Sequence, residues 1–331
     1  MARSLVTGGQ GFIGGHLVKA LLERGDEVAV LDLPEAPGLA LKLHGLEGDV
    51  NLIEGDVADR EIVDKATAGA DSVFHLAAQT LVGPAAADPV GTFRSNVEGT
   101  WTVLEAAREA EVSAVVVASS DKAYGPSDAL PYREGDELRP AAPYEGSKAA
   151  ADVISRSYWK SWGLPVGVTR LANVYGGGDL NFSRLIPEVV AAYLAERQPQ
   201  IRSDGSPQRD FLHVFDAVGA YLAIERAVKD GPARGEAMNA GTGEARSVRD
   251  VIERIKAATG SGQEPDYLLD RNPDGEIDTQ YVDAARLAEI AGWKPEIAFE
   301  EGIAEAVEWY RARPAIIAGR AEWVRSGSGD A

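Results

Sequence analysis

The stretch PYEGSK places a tyrosine and a lysine four residues apart, at Tyr144 and Lys148. Residues at i and i+4 lie on one face of a helix, so these two side chains would be neighbours. A phenol with its ordinary pKa of about 10 is a poor base at neutral pH, but adjacent positive charge favours the phenolate. The pair can therefore remove a proton from a hydroxyl group, although such pairs also occur on helices for structural reasons alone.

A second polar cluster directly follows an apolar run, in VASSDKAYG. Ser120, Asp121 and Lys122 present a hydroxyl, a carboxylate and an amine in consecutive positions. Such a cluster can supply an acid and a base, or it can form an ion pair on a solvated loop. Ser120 ends a predicted parallel strand, and ligands bind beyond the carboxyl ends of such strands. We therefore expect Ser120 to bind the same substrate oxygen as Tyr144.

The elements that must position these residues alternate between strands and helices. Strand patterns occur at RSLVTGG, DEVAVLD, VNLIEGD, ADSVFHLAA, SAVVVASS and PVGVTRLANVYG, and helical patterns at FIGGHLVKALLERG, VGTFRSNVEGTWTVLEAAREA and PYEGSKAAADVISRSYWKSWG. This alternation predicts an α/β fold with a doubly wound parallel sheet of the Rossmann type.

The pattern becomes richer in loops after residue 175, for example in GGGDLNFSRLIP and IRSDGSPQRD. We predict a nucleotide-binding Rossmann domain at residues 1–175 and a smaller substrate-binding lobe over most of residues 176–320. Residues 209–243, which contain the helical pattern FLHVFDAVGAYLAIERAV, are expected to return to the main sheet. The polar tail, residues 325–331, is predicted to be disordered.

The first strand and first helix are joined by TGGQGFIGG, with Gly8, Gly11 and Gly14 in the turn. A sharp turn, a close approach to a pyrophosphate and tight packing of a helix on a sheet all suit a residue without a Cβ atom. Asp32 ends the second strand, 18 residues beyond Gly14, where a carboxylate can accept both ribose hydroxyls. The following LPEAP has no arginine for a 2′-phosphate, so the site is predicted to bind NAD.

Further cofactor contacts are predicted around the same strand ends. Phe12 and Ile13 lie in the glycine turn, and Asp56 and Val57 follow the third strand. Asp56 is placed either to bind the adenine amino group or to cap the next helix.

Bulk composition excludes several classes of protein. The 331 residues carry a net charge of −19, which disfavours a nucleic-acid binder because phosphates must be neutralised by positive charge. With no cysteine and only four histidines, the sequence has few ligands for a catalytic metal site and disfavours one. The sequence shows neither a signal peptide nor a membrane-spanning run, so we expect a cytoplasmic protein.

Taken in order, several motifs resemble those of the extended short-chain dehydrogenase/reductases, the NAD-dependent nucleotide-sugar epimerases and dehydratases. They are TGGQGFIGG, HLAAQ, SNVEGT, SSDKAYG, PYEGSKAAAD, RLANVYGGGD, RDFLHV and AGWKP. The resemblance covers residues 2 to 312. It implies an NAD domain with a small nucleotide-sugar lobe, and a homodimer.

The resemblance also implies roles for particular residues. Ser120, Tyr144 and Lys148 match the catalytic triad of the family, and Asn96 matches a residue that anchors active-site hydrogen bonds. The nicotinamide side would be lined by Leu76, Ala77 and Ala78. The substrate pyrophosphate would be held by Asn173, Arg184, Arg209 and Arg271, each arginine being equally compatible with a surface salt bridge.

Within that family, the two residues after the triad hydroxyl separate the reaction types. Asp121 followed by Lys122 resembles most closely the CDP-glucose 4,6-dehydratases. The implied reaction is a transient NAD-dependent oxidation at C4, elimination of water across C5 and C6, and return of the hydride to C6. Asp121, kept protonated by burial, would be the acid, and Lys122 would be the base if its surroundings kept it neutral. The alternative is a 4-epimerase, which needs no such acid and base.

Overall fold

The computed structural model describes residues 1–34, 39–269 and 277–319. Its strands are β1 (Arg3–Thr7), β2 (Glu27–Asp32), β3 (Asn51–Glu54), β4 (Ser72–His75), β5 (Ala114–Ser120), β6 (Val166–Leu171), β7 (Asn173–Tyr175), β8 (Gln200–Ile201), β9 (Gln208–Arg209), β10 (Phe211–His213), β11 (Ala237–Ala240), β12 (Arg246–Ser247), β13 (Asp266–Tyr267) and β14 (Thr279–Gln280). Arg271 and the predicted tail lie outside the described residues.

The helices alternate with these strands over the first half of the chain. They are α1 (Phe12–Arg24), α2 (Ala40–His44), α3 (Arg60–Thr67), α4 (Val82–Ala87), α5 (Pro89–Phe93), a π-helix (Arg94–Glu98), α6 (Gly99–Glu109), a 3-10 helix (Asp121–Tyr124), α7 (Pro143–Trp162), α8 (Leu185–Leu194), α9 (Val214–Asp230), α10 (Val248–Thr259), α11 (Ala285–Ala291) and α12 (Phe299–Arg311). No helix in the described part of the chain is long and apolar enough to cross a membrane.

Seven strands form one parallel sheet in the order β11-β6-β5-β4-β1-β2-β3. The order reverses between β1 and β4, as in a doubly wound sheet, and the predicted fold class is confirmed. Successive side chains along a strand point to opposite faces. Accordingly, Leu5 and Leu31 pack under α3 and α6, whereas Val6 and Val30 pack under α1 and α9. Burial on both faces explains why these strands are apolar runs and not alternating patterns.

Three predicted elements differ in detail. The helix predicted around residues 90–110 is divided by the π-helix. The strand predicted over PVGVTRLANVYG breaks at Ala172, because β6 pairs within the main sheet whereas β7 pairs with β10. Helix α9 begins at Val214 and not at Phe211, because Phe211–His213 is extended in that pairing.

The later elements build a second layer of structure beside the carboxyl ends of the main strands. Strand β9 lies between β12 and β14, and β8 pairs with β13. A separate apolar core joins α8, α10 and α12. Between these elements the chain returns to the main sheet, where β11 pairs with β6.

Candidate functional site

The glycine turn after β1 is set by close backbone contacts. Gly8 has a φ of +75°, and a Cβ atom there would lie 2.7 Å from the amide nitrogen of Ala77. A Cβ atom at Gly14 would lie 2.1 Å from the carbonyl oxygen of Gly8, so α1 can approach the turn only without a side chain. Gly11 is the N-cap residue and has no side chain to occupy the first amides of α1. Those amides suit a pyrophosphate, and this cradle fits NAD.

Asp32 lies beside the turn at the end of β2. Its Oδ2 accepts a hydrogen bond from the amide of Gln10 at 2.8 Å, and Oδ1 accepts one from Leu33 at 2.9 Å. Burial raises the pKa of Asp32, and the two amides oppose that shift. Each carboxylate oxygen retains a second lone pair, so ribose hydroxyls can still donate to Asp32.

The two residues after β3 have different environments. Asp56 is partly exposed; its Oδ1 accepts the amide of Ala58 at 2.9 Å, and Oδ2 lies 3.6 Å from the guanidinium of Arg94. Helix α3 is capped by Asp59, so the helix-capping alternative for Asp56 is wrong. Val57 is 5% exposed and belongs to the core under α3 and α6.

The predicted nicotinamide side follows β4, where Leu76, Ala77 and Ala78 are partly exposed. Asn96 fixes this segment from the π-helix. Its Oδ1 accepts the amide of Gln79 at 2.7 Å, and its Nδ2 donates to the Gln79 carbonyl at 2.9 Å and to Ser147 Oγ at 2.8 Å. Single π-turns within helices are frequent at functional sites. Asn96 thus ties the segment after β4 to α7, which carries Tyr144.

Tyr144, Lys148 and Ser120 come together beyond the end of β5. Lys148 is buried and its Nζ donates to the carbonyl of Ala118 at 2.9 Å. Burial lowers the pKa of Lys148 to about 8. Burial also raises the pKa of Tyr144, while the Ser120 hydroxyl and the charge of Arg184 oppose that rise. Within the protein alone, desolvation outweighs the positive charge near Tyr144 and raises its pKa, whereas the sequence-based lowering counts on the Lys148 ammonium together with a nicotinamide cation.

The 3-10 helix buries the second polar cluster. Ser120 Oγ donates to Asp121 Oδ1 at 3.1 Å and accepts the amide of Lys122 at 3.2 Å. Asp121 is 1% exposed, and its Oδ2 has no hydrogen-bond partner among the described residues. Lys122 Nζ donates to Gln280 Oε1 at 2.9 Å and lies 3.9 Å from Asp121 Oδ1. The alternative of an ion pair on a solvated loop is wrong as to the solvated loop, because both groups lie largely inside the protein, whereas the two charges do lie within ion-pair distance.

A buried ion pair holds this cluster against α7. Arg170 on β6 is 1% exposed and donates from Nε to Asp152 Oδ2 at 2.8 Å. Its Nη1 donates to the hydroxyl of Tyr124 at 2.8 Å, and that hydroxyl donates to Asn239 Oδ1 at 2.7 Å. Because Asp152 lies on α7 and Tyr124 ends the 3-10 helix, this network fixes Tyr144 relative to Asp121.

The predicted substrate residues lie on different elements. Arg184 is the N-cap residue of α8, donates to Asp179 Oδ2 at 3.2 Å and acts electrostatically on Tyr144, so the structure brings it to the site. Asn173 on β7 donates weakly to the carbonyl of Asp210 at 3.4 Å. Arg209 on β9 donates to the carbonyl of Gln208 at 2.7 Å and pairs in register with Gln280. Arg271 lies outside the described residues.

Two buried polar residues at this site were missed from sequence. Gln280 is 1% exposed and contacts Lys122. Asp210 is fully buried and accepts hydrogen bonds from the amide and hydroxyl of Thr242 and the amide of Gly243. Asp210 lies in the motif RDFLHV, which indicates the family but assigns this residue no role, and Gln280 follows Thr279 with no sequence signal of its own.

Histidine and metal chemistry receive no support from the geometry. His75 is 3% exposed, with Nδ1 2.8 Å from the hydroxyl of Thr7 and Nε2 3.1 Å from that of Thr100. Burial lowers the pKa of His75 to about 3, so it is a neutral structural residue, as its position at a strand end suggests. Among residues 1–34, 39–269 and 277–319, no group of three or more potential ligands is arranged to hold a metal ion.

Comparison with known families and proteins adds an independent line of evidence. The family model described as the NAD dependent epimerase/dehydratase family matches residues 4–241. The chain is 36% identical over 319 residues to a UDP-glucose 4-epimerase of Mycolicibacterium smegmatis, covering 93% of this chain and 98% of that protein. It is 32% identical over 317 residues to a dTDP-glucose 4,6-dehydratase of Streptomyces niveus, covering 93% of each.

Solved structures give the same two activities. A UDP-glucose 4-epimerase of Thermotoga maritima, determined with UDP-glucose, superposes with a TM-score of 0.85 at 29% identity, covering 94% of this chain and 99% of that one. A dTDP-glucose 4,6-dehydratase of Streptomyces venezuelae, determined with NAD bound, superposes with a TM-score of 0.85 at 30% identity, covering 95% and 98%. Similarity alone therefore does not separate an epimerase from a dehydratase.

Proposed function

Because this chain belongs to the NAD dependent epimerase/dehydratase family, we propose that it is a nucleotide-sugar 4,6-dehydratase. It would convert an NDP-hexose into the NDP-4-keto-6-deoxyhexose. One observation carries the proposal: a buried carboxylic group and an amine, Asp121 and Lys122, lie directly beyond the triad hydroxyl of Ser120. A 4-epimerase has no step that uses this pair, whereas elimination of water needs both an acid and a base.

The NAD requirement of the family is met by the glycine turn and Asp32, which would hold the pyrophosphate and the ribose. When bound, NAD supplies an acceptor for the C4 hydride and a donor that returns it to C6. Tyr144 takes the proton of the 4-hydroxyl, with Ser120 hydrogen-bonded to the same oxygen. Lys148 lies one helical turn from Tyr144 and is anchored by Ala118, so its charge stays close to the phenol.

The 4-ketone acidifies the hydrogen at C5, which opens the way to elimination. Lys122, in its neutral form, takes the C5 proton, and the electrons of that bond form the C5=C6 double bond. The C6–O6 bond breaks, and Asp121 gives its proton to the departing oxygen, which leaves as water. After reduction at C6, the proton on Lys122 returns to C5.

The protons balance over the whole cycle. Tyr144 has gained one proton and Asp121 has lost one, so a net transfer from the tyrosine to the carboxylate restores the starting state. The nucleotide sugar has lost one water and has not changed its overall oxidation level. This cycle requires Asp121 and Lys122 to remain separate acid and base and not a closed ion pair.

The substrate class follows from the local positive charge and the resemblance at the active site. Arg184 and Arg209 would neutralise a pyrophosphate in a protein whose net charge is −19, with Asn173 as a neutral donor. The sequence-based candidate Arg271 would add a third cation. The pair Asp121–Lys122 favours a CDP-glucose-like hexose, while the relatives named above act on dTDP and UDP sugars.

The second candidate is a UDP-glucose 4-epimerase-like enzyme. Its support is the similarity to UDP-glucose 4-epimerases, which is as extensive as the similarity to the dehydratases. An epimerase would need only Tyr144 and NAD. Its 4-keto sugar would rotate in the site before it is reduced from the opposite face.

A panel of CDP-, UDP-, dTDP-, GDP- and ADP-hexoses, analysed by mass spectrometry, distinguishes these candidates. We expect the loss of one water from at least one sugar, with CDP-glucose the favoured substrate. Tyr144→Phe serves as the control, because it should abolish turnover and retain NAD. Recovery of only a C4 epimer of unchanged mass would refute the dehydratase proposal.

Dimerisation and a cytoplasmic location stay predictions. Three large apolar residues are about half exposed, each between 45% and 59%: Trp101 on α6, and Val153 and Trp162 on α7. These apolar side chains lie on neighbouring helices and suit a helix-to-helix contact with a second copy. Light scattering after size-exclusion chromatography measures the oligomeric state directly.

A further inference from the structure

Gln280 on β14 contacts the proposed base although it is 158 residues away from it in sequence. Its side chain is 1% exposed, and its Oε1 accepts a hydrogen bond from Lys122 Nζ at 2.9 Å. Strand β14 is held on β9 in register with Arg209, and the amide of Asp210 donates to the Gln280 carbonyl at 3.0 Å. The side-chain amide of Gln280 is therefore carried by a paired strand and not by a free loop.

Two buried polar atoms on either side of Lys122 have no partner among the described residues. One is the Nε2 donor of Gln280, and the other is Oδ2 of Asp121. The Tyr132 hydroxyl donates its own proton to the carbonyl of Gly125, and its oxygen interacts with the Gln280 side chain without reaching regular hydrogen-bond geometry. Buried polar atoms rarely lack partners, because an unpaired buried polar atom destabilises the folded state. Such atoms are explained if a substrate completes their hydrogen bonds.

The neutrality of Gln280 matters for the lysine. Nζ lies 3.9 Å from Asp121 Oδ1, well beyond the roughly 2.8 Å of an ammonium–carboxylate hydrogen bond. The amide oxygen takes the hydrogen bond that Lys122 would otherwise give to Asp121. A neutral acceptor also holds Nζ in place without the charge that would favour the protonated amine.

We propose that Gln280 is a positioning residue for the elimination step. It keeps Lys122 apart from Asp121, so that the amine retains its lone pair for C5 and the carboxyl retains its proton for O6. Its Nε2 then donates to a hydroxyl of the bound hexose. This inference rests on the proposed dehydratase function and adds to it a residue from the second half of the chain.

Gln280→Glu and Gln280→Leu test two different parts of the proposal, the neutrality of the acceptor and the presence of the amide. Glutamate keeps an acceptor but adds a negative charge that favours protonated Lys122. We expect water elimination to slow at least tenfold at neutral pH, and the pH profile of elimination to change while that of oxidation does not. Leucine removes the hydrogen bond from Lys122 and the proposed hydrogen bond to the hexose. Elimination should therefore slow at every pH, and KM should rise about tenfold.

The measurement separates oxidation at C4 from the loss of water. Stopped-flow absorbance of reduced nicotinamide follows the first, and quenched-flow mass spectrometry follows the second. In both variants we expect oxidation at the wild-type rate followed by slow elimination. Thr279→Val, on the same strand, is the matched control and should behave as the wild type. Normal oxidation also shows that a variant has folded.

The outcomes distinguish the two levels of inference. If both variants eliminate water as fast as the wild type at every pH, the role of Gln280 is refuted and the dehydratase proposal stands. If oxidation and elimination fall equally, Gln280 only supports the fold and the inference is refuted. If the wild type removes water from no nucleotide sugar, the dehydratase proposal fails and the role of Gln280 fails with it.

Discussion

The glycine turn and the 3-10 helix occupy equivalent places, each beyond the carboxyl end of a parallel strand, but they are built on different principles. The turn after β1 is shaped by backbone contacts around Gly8 and Gly14. The carboxylate of Asp32 beside it accepts hydrogen bonds from two backbone amides. The 3-10 helix after β5 buries Asp121 with one oxygen lacking a partner among the described residues.

This difference fits the two proposed roles, which are the binding of a resident cofactor at the turn and chemistry on a substrate at the 3-10 helix. The form of the turn is fixed by its own backbone packing and can be complete before the ligand arrives, although the first amides of α1 stay open for that ligand. Buried polar atoms without partners cost stability, and such sites are retained where function needs them. Substitutions in the two regions should therefore have opposite balances between stability and activity.

The largest effect is expected for Asp121→Asn. Removing the acid should slow the loss of water about 1,000-fold, equivalent to about 4 kcal/mol. The free energy of unfolding should stay the same or rise by about 1 kcal/mol, because the site no longer buries a carboxyl group without a full set of partners. Product formation and urea unfolding measure the two quantities. Asp128→Asn, on an exposed loop, is the control, and a large loss of stability in Asp121→Asn would contradict the comparison.

Gly14→Ala should have the reverse profile. The new methyl group would lie 2.1 Å from the Gly8 carbonyl oxygen, so α1 must shift. We expect the free energy of unfolding to fall by about 3 kcal/mol and NAD binding to be lost. Calorimetric titration and urea unfolding provide the readouts. Gly48→Ala is the control, since no described atom lies within 4 Å of its added methyl group. Wild-type stability in Gly14→Ala would show that the turn is not sterically fixed.

A smaller effect is expected from His16 on α1, whose Nε2 lies 2.9 Å from the carbonyl of Gly177. Burial lowers the pKa of His16 from 6.5 to about 4, so the unfolded chain binds the proton more readily. Stability is therefore complete above pH 6.5 and falls as the pH drops towards 4, by about 2 kcal/mol at about pH 5. Urea unfolding near pH 7 and pH 5 should show a smaller pH dependence in His16→Gln. An identical dependence would refute this assignment.

The smallest effect is expected for Asp32→Asn. The amides of Gln10 and Leu33 now bond to separate oxygens, and asparagine offers only one. We expect NAD to bind about tenfold more weakly and the protein to lose about 1 kcal/mol of stability. Quenching of protein fluorescence by NAD provides the affinity, with Asp49→Asn as an exposed control. A loss of affinity as complete as in Gly14→Ala would mean that side chains and not the backbone dominate this half of the site.

The same contrast explains what the sequence could predict. Glycine spacing, strand alternation and the i, i+4 pair of Tyr144 and Lys148 are local patterns with local causes, and they led to the sheet, to NAD as the cofactor and to the predicted triad. The breaks in the long helix and in the strand ending at Ala172 depend on which partner each segment meets. Local periodicity contains no such information.

The features of the site that the sequence did not predict have long-range causes. Gln280 lies on a strand of two residues, too short to show a period, and its contact with Lys122 spans most of the chain. The position of Arg209 depends on strands β12 and β14 on either side of it. The raised pKa of Tyr144 depends on how deeply the fold buries it, which its spacing from Lys148 does not report.

Strand β11 limits how this chain can be divided. It forms the outer edge of the main sheet, beside β6, yet it follows β7 to β10 in sequence. A fragment ending near residue 175 would leave the backbone of β6 unpaired along an apolar edge, which promotes aggregation. A chimera of two relatives should therefore keep Ala237–Ala240 together with the first half of the chain. The segment to exchange is an internal one and not the whole C-terminal half.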